Sequence, residues 1–269
     1  MSTEAVASLD DARLDDYRNL TDAELLHTRG VFAAEGRLVV RRLLTESPLA
    51  TRSVMLTETA RGSMAEALSL RPEIPVYVVP QHVMDGVAGF NVHRGCLAIG
   101  EYPRPRAWID VIAGTRTVVV LERVANPDNV GGIFRCAAAF GADAVLLDPS
   151  TTDPLYRKAI RTSMGAALVV PFARLNGWPS ALNTLREQGF ALVALTPRHT
   201  ASLVATMDET SGRRVALVLG NEGEGLTEGA MDACEFQARI PTTSRVDSLN
   251  VVSAAAIALY ERNARPRLG

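Results

Sequence analysis

The sequence predicts an α/β protein: a mostly parallel sheet with helices on both faces, preceded by a smaller α/β module. Three observations predict it. Short runs of valine, leucine and alanine alternate with helical patterns along nearly the whole chain, as strands buried on both faces and joined by helical crossovers do. Pro103 and Pro105 interrupt that alternation, and proline holds itself and the residue before it in extended backbone. In the C-terminal half, three polar or glycine-rich turns each follow an apolar run and lead into a helical pattern. They are Asn126-Pro-Asp-Asn129-Val-Gly131-Gly132-Ile-Phe-Arg135, Leu219-Gly220-Asn221-Glu222-Gly223-Glu224-Gly225-Leu226, and Ile240-Pro241 followed by Ser248-Leu249-Asn250-Val251.

Taken in order, Thr21-Asp22-Ala23-Glu24 is a capping-box pattern that starts a short helix at Leu25. Val31–Ala34 reads as a strand, Arg37–Thr45 as an amphipathic helix, Arg52–Thr57 as a strand and Ser63–Leu70 as a helix. Val76–Val79 is a strand, Gln81–Gly86 a helix and Cys96–Ile99 a strand. The first module therefore spans residues 1–102, a linker 103–114, and a second domain 115–269. That domain opens with the buried-strand run Thr117–Leu121 and the helix Val130–Phe140. Strands Ala144–Leu147 and Leu168–Phe172 flank a helix over Leu155–Ser163. Helix Trp178–Gln188, strands Phe190–Leu195, Arg214–Leu219 and Phe236–Ile240, and a long helix Leu249–Asn263 complete it. Ligands of such sheets bind at the C-terminal strand ends, where all three turns must lie.

Composition narrows the function. No apolar run approaches the ~20 residues of a membrane span, so no membrane partner is expected. Asp10, Asp11, Asp15 and Asp16 near the start are the opposite of a basic leader, so a cytoplasmic protein is expected. Cys96, Cys136 and Cys234 are scattered and read as buried free thiols; His27, His82, His93 and His199 show no ligand spacing, so no metal is expected. The net charge of −2 does not mark a generally basic nucleic-acid binder, yet a local patch suffices for RNA. Lys158 is the only lysine, and arginine suits bidentate phosphate contacts, although codon bias gives the same pattern.

The turns carry the chemistry. Gly220, Gly223 and Gly225 directly after a strand allow positive φ and close ligand approach. The spacing is neither a dinucleotide fingerprint nor a P-loop, and Glu222 and Glu224 would repel a phosphate-rich cofactor. A ligand that is neutral or cationic there fits better, and S-adenosylmethionine, with its sulfonium and ammonium, is one. Gly131 and Gly132 open a helix despite poor propensity, which points to close packing or close ligand approach. Arg135 stands in an otherwise apolar helix, as a surface residue or a functional cation. Ser248 is the expected N-cap of the last helix, with Asn250 in its first turn near the positive dipole end.

Together these segments resemble the SpoU/TrmH-type RNA 2′-O-ribose methyltransferases of the SPOUT superfamily. The Asn-x-Gly-x-x-x-Arg pattern falls on Asn129, Gly131 and Arg135, Gly-x-Glu-x-x-Gly on Gly220, Glu222 and Gly225, and the third motif on Ile240, Pro241 and Ser248–Val251. Arg161-Thr162-Ser163-Met164-Gly165-Ala166 also resembles a family segment, and Phe32–Gly36 and Pro75–Val79 are similar to a ribosomal-protein-like RNA-binding domain. Thr242 and Ser244 depart from the family's methionine and glycine, and Val252 from its serine. The resemblance implies a trefoil-knotted fold, a homodimer through the C-terminal domain and bound S-adenosylmethionine. It implies a cofactor set of Thr196, Leu219, Gly220, Asn221, Glu222, Gly225, Ile240, Leu249 and Asn250. It also implies a catalytic set of Arg135, Asn129, Glu222, Ser248 and Asn250. The final helix, with Ala254, Ala255, Ala256 and Ala258, fits a dimer face.

The implied reaction is attack of a ribose 2′-hydroxyl on the cofactor methyl, in ribosomal RNA first and transfer RNA second. The family view makes Arg135 a base, but a guanidinium holds its proton, so phosphate binding and stabilisation of the developing alkoxide is the alternative. Asn129 would position the hydroxyl, and Glu222 and Asn250 would orient the loops or Arg135. Competing readings are a non-catalytic RNA-binding protein on the same fold and a methyltransferase acting on a base nitrogen.

Overall fold

The computed structural model describes residues 3–18, 21–89, 92, 95–198, 201–243 and 248–264. His93, His199 and Ser244, singled out in the sequence, lie outside the described residues. The chain divides into two compact units, Met1–Arg104 with Pro154–Val169, and Pro105–Asp153 with Val170–Gly269.

The first unit holds β1 (Thr3–Ala5), α1 (Asp22–Glu24), β2 (Val31–Glu35), α2 (Arg37–Thr45), β3 (Thr51–Leu56), α3 (Glu58–Ser69), β4 (Val76–Val78), α4 (Gln81–Ala88) and β5 (Cys96–Glu101). Its sheet runs β1-β4-β3-β5-β2, parallel from β1 through β4 to β3, with β5 antiparallel to both β3 and β2. Helix α3 starts earlier than its apolar pattern because Thr57 caps it, Oγ1 accepting the Ala60 N–H at 3.3 Å. The acidic N-terminal stretch is folded too: Tyr17 is fully buried, its hydroxyl 2.7 Å from Ser53 Oγ.

Units and sequence order do not coincide. Helix α7 (Arg157–Thr162) and the turn Ala166–Leu168 belong to the first unit. There the Arg157 N–H donates to Asp22 Oδ1 at 2.8 Å, Arg42 to the Met164 carbonyl at 3.0 Å, and Ser47 Oγ to the Leu168 carbonyl at 2.6 Å. The strand expected over Leu168–Phe172 is displaced accordingly: β8 is Phe172–Arg174, and its pairing begins beyond Pro171, which has no N–H for a ladder. The linker expected at 103–114 is also too long. It contains α5 (Trp108–Val111), and Val111 and Ile112 are buried in the second unit's core.

The second unit is built on β6 (Thr117–Leu121), β7 (Ala144–Leu147), β8, β9 (Phe190–Leu195), β10 (Arg214–Leu219) and β11 (Phe236–Ala238). All its pairings are parallel, in the order β11-β9-β10-β6-β7-β8. Every residue of β6 and β7 is buried, which is why these strands read as unbroken apolar runs. Val118 and Val120 face α5, α8 (Ala181–Glu187) and α10 (Glu228–Ala233). The opposite face carries α6 (Pro127–Phe140) and α11 (Val251–Leu259). Helices α9 (Leu203–Glu209) and α10 were not visible in the sequence; each is short and starts at a hydroxyl cap, Ser202 and Thr227. β6 leads outward to β7 and β8, and the chain then returns to build β9, β10 and β11 on its other side. The strand order therefore switches between β6 and β10.

Helices α6 and α11 approach closely at Gly132, where a Cβ would lie 2.7 Å from Val252 Cγ2 and 2.8 Å from Cγ1. The costly glycine is thus a packing device. Gly132→Ala gains about 1 kcal/mol of helix propensity but meets a stiff β-branched side chain, an overpacking cost of about 1–3 kcal/mol. We expect Gly132→Ala to lower the denaturant midpoint in the native background and to raise it in a Val252→Ala background; the same sign in both would refute the contact.

The cysteines make a second prediction. Burial pushes the Cys96 and Cys234 thiols up to about 12, and Glu122 adds to the effect at Cys234. Cys136 is only half-buried, against the sequence reading, and its pKa is raised less strongly by the same cause. A raised pKa keeps the thiol neutral and unreactive. At pH 8 an aromatic disulfide reagent should modify Cys136 slowly and the other two only on unfolding; rapid release of two or more equivalents from native protein would contradict this.

Candidate active site

The second and third turns converge at the C-terminal ends of β9, β10 and β11, beside the strand switch, where ligands of parallel sheets bind, while the first turn, after β6, supplies none of the lining. One pocket there is lined by Thr196, Leu219, Gly220, Asn221, Glu222, Gly225, Ile240 and Leu249, eight of the nine residues the sequence singled out for a cofactor. The ninth, Asn250, stands beside it.

The loop after β10 is shaped by its own polar groups. Asn221 Oδ1 accepts the N–H groups of Gly223 at 2.7 Å and Glu224 at 3.3 Å, while its Nδ2 donates to the Arg123 carbonyl at 3.1 Å. The loop folds back so tightly that a Cβ on Gly220 would lie 2.4 Å from the Gly225 carbonyl carbon and 2.5 Å from the Leu226 nitrogen. Gly225 has φ +74°, which favours glycine. Thr196 is buried, its Oγ1 accepting the Arg198 N–H at 3.2 Å. The carboxylate of Glu222 is exposed and has no hydrogen-bond partner among the described residues.

The third turn corrects the sequence reading. The N-cap of α11 is Asn250, not Ser248: Asn250 is extended (φ −56°, ψ 142°) and its Oδ1 accepts the Val252 N–H at 2.9 Å. Ser248 is exposed and lines the pocket two residues earlier. Asn250 Nδ2 donates to Asn129 Oδ1 at 3.2 Å, so the first and third turns meet through an asparagine pair. Asn126 caps α6, its Oδ1 accepting the Asp128 N–H at 2.9 Å.

Arg135 is not brought to this pocket. It lies on α6, exposed, outside the pocket lining and without a hydrogen bond or ion pair among the described residues. The same pair of packed helices exposes apolar groups: Ala138 and Ala139 on α6, and Ile257 and Tyr260, 38% and 43% exposed, on and just beyond α11. Ala255 and Ala258, counted toward a dimer face, are instead fully buried inside the protomer, because α11 turns them toward its own sheet and α6.

Sequence reasoning missed two groups. Arg198 and Arg239 line the pocket from the β9 and β11 side, Arg198 paired with Glu228 at 2.9 Å and Arg239 without a side-chain partner among the described residues. Glu122 and Arg123, just past β6, bind the glycine loop and the residue after it, Arg123 at Glu224 and Glu122 at Thr227. Both groups lie outside the motifs, and an acid ending an apolar run was the sole trace of Glu122. Among the described residues no group of three or more His, Cys, Asp or Glu is arranged to hold a metal.

Comparisons with known proteins follow this geometry. Residues 116–260 match the SpoU rRNA Methylase family. An uncharacterized tRNA/rRNA methyltransferase of Mycobacterium tuberculosis is 42% identical over 97% of this chain and 92% of its own length. The 23S rRNA (guanosine-2′-O-)-methyltransferase RlmB of Xanthomonas axonopodis pv. citri is 32% identical over 86% of this chain and 90% of its own. The crystal structure of an AdoMet-bound rRNA methyltransferase from Sinorhizobium meliloti superposes with a TM-score of 0.82 at 27% identity, covering 97% of each chain.

The cap assignment is testable by stability alone. Asn250→Ala should cost about 1 kcal/mol of unfolding free energy, the value of an N-cap, whereas Ser248→Ala should stay within about 0.5 kcal/mol of the parent. The reverse ranking in urea denaturation would restore Ser248 as the cap.

Proposed function

The chain belongs to the SpoU rRNA methylase family of RNA methyltransferases, and from that premise we propose that it methylates a ribose 2′-hydroxyl of ribosomal RNA using S-adenosylmethionine. The observation that carries the reading is the pocket at the ends of β9, β10 and β11 with the asparagine pair at its side. Its donor set fits the cofactor. Glu222 and Glu224 suit sulfonium and ammonium charge, Arg198 and Arg239 suit a carboxylate, and Leu195, Leu226 and Met231 offer apolar surface to an adenine. The relatives' names support the choice of ribosomal RNA and the 2′-oxygen.

Bound there, S-adenosylmethionine supplies an electrophilic methyl whose leaving group is a neutral thioether. The residues of this chain must then align the nucleophile and help it shed its proton. Alignment alone is worth up to about 7–11 kcal/mol. The Asn129–Asn250 pair presents amide groups fixed to two helix N-termini, suited to orient a ribose hydroxyl. Arg135 is assigned to bind RNA phosphate and stabilise the developing alkoxide. Because it is exposed outside its own pocket, on a helix pair that also exposes Ala138, Ala139, Ile257 and Tyr260, we assign it to the partner's pocket in a homodimer formed through these helices. The first unit would hold the RNA, and the second would carry the family's trefoil knot. The whole acts in the cytoplasm.

Purified protein incubated with S-adenosylmethionine and unmodified ribosomal or transfer RNA, followed by nucleoside mass spectrometry, tests this. We expect a 2′-O-methyl nucleoside in ribosomal RNA and a rate about 100-fold lower for Arg135→Ala. A methylated base instead would move the reaction to a ring nitrogen. RNA binding with no methyl transfer would leave a binding protein on an enzyme's fold.

A further inference from the structure

The wall of the pocket formed by residues 220–226 is held by a residue that no motif contains. Glu122 follows β6 and is 0% exposed, and it does not line the pocket. Its carboxylate accepts three hydrogen bonds, from Trp178 Nε1 at 2.6 Å, Thr227 Oγ1 at 2.7 Å and the Thr227 N–H at 2.8 Å. A carboxylate withdrawn from water must be satisfied by the protein or it is strongly destabilising. Among the described residues no cation pairs with Glu122, so these neutral donors do that work. Two of the three belong to Thr227, the residue directly after the glycine loop.

Arg123 reaches the same loop from its outer side, donating to Glu224 at 2.7 Å and to the Gly225 carbonyl at 3.4 Å. The two grips are unequal. The Arg123–Glu224 pair is 34% and 75% exposed, and water screens such pairs. The bonds to Glu122 are charge-assisted and enclosed, the stronger kind. The loop has no slack between them, since its two ends touch at Gly220 and Gly225–Leu226. A displacement of Thr227 is therefore passed straight to the pocket wall.

We propose that Glu122 is a positioning residue for the cofactor: by binding Thr227 and Trp178 it fixes where the 220–226 loop stands over the end of β10. The proposal rests on the reading of this pocket as the S-adenosylmethionine site. Glutamine at 122 keeps the shape but has one acceptor. Either way its amide turns, an NH2 group faces the Thr227 N–H or the indole N–H. Trp178→Phe removes the indole N–H and leaves glutamine one orientation without a donor-against-donor contact.

The test is calorimetric affinity for S-adenosylmethionine in the full-length protein, with amide hydrogen exchange as a second readout. We expect E122Q to weaken binding about tenfold or more, and W178F added to E122Q to recover part of that loss. Exchange should rise over residues 223–227 and not in β10, and affinity for an RNA probe should stay within twofold. If E122Q does not fold, Thr227→Val against Thr227→Ser carries the test, with only valine weakening the cofactor. Wild-type binding with E122Q or Thr227→Val within twofold of it overturns the role of Glu122 alone. Failure of the wild type to bind overturns the cofactor reading and this role with it.

Discussion

A carboxylate with no access to water has to be solvated by the protein, and Glu122 is solvated by the very segment that shapes the pocket. That requirement organises the region around the end of β6. The Glu122 N–H continues the ladder by donating to the Leu219 carbonyl at 2.9 Å, tying β6 to the last residue of β10. One residue on, the Arg123 N–H donates to Asp148 Oδ1 at 3.0 Å, and the Val124 N–H to Thr151 Oγ1 at 3.2 Å, which secures the loop after β7. Three consecutive residues thus distribute bonds to the loops on both sides of the strand switch. The pocket is a consequence of how one strand end satisfies its polar groups.

Helix α11 supplies the second support, and it is fixed at both ends. At the pocket, Asn250 caps the helix and meets Asn129. At the opposite end of the sheet, Asn263 donates to the Phe140 and Gly141 carbonyls at 3.0 Å each, and its Oδ1 accepts from Thr117 Oγ1 at 3.0 Å. Arg262 is buried there, donating to the Thr210 and Arg213 carbonyls. Between these ends the helix lies against Gly132 of α6. The first and third turns therefore keep a fixed relation without a bond of the strength Glu122 gives the second.

What the sequence disclosed followed from periodicity and what it withheld followed from context. β6, β7, β9 and β10 were legible because burial on both faces confines polar residues to a strand's first position, Thr117 in β6 and Arg214 in β10, and leaves the rest of each run apolar. The β8 boundary was not, because Ala166–Leu168 is just as apolar for a different reason: it is buried in the other unit. Helices α9 and α10 are six or seven residues long, too short for a face to repeat. Glycine spacing made only the loop after β10 legible; the rest of the pocket-lining set came from the resemblance of the three motifs to a known family. The cap was not, since Ser248 and Asn250 are both competent caps and only backbone φ and ψ decide between them. Glu122 was illegible because nothing in a sequence distinguishes a surface acid from one that three donors enclose.

The departures at Thr242 and Val252 take on different weights in this light. Val252 contributes its N–H to the cap of α11 and its side chain to the contact with Gly132, and a backbone N–H is indifferent to side-chain identity. Thr242 does line the pocket, where it replaces an expected apolar side chain by a hydroxyl. Most of the remaining wall is strand-end backbone, glycine and aliphatic surface, and the loop that forms it is held from behind by Glu122. A site built this way derives its shape from backbone position and tolerates exchange of single lining side chains. What it cannot tolerate is a change in the groups that hold the backbone, which is why the residues outside the motifs matter as much here as those within them.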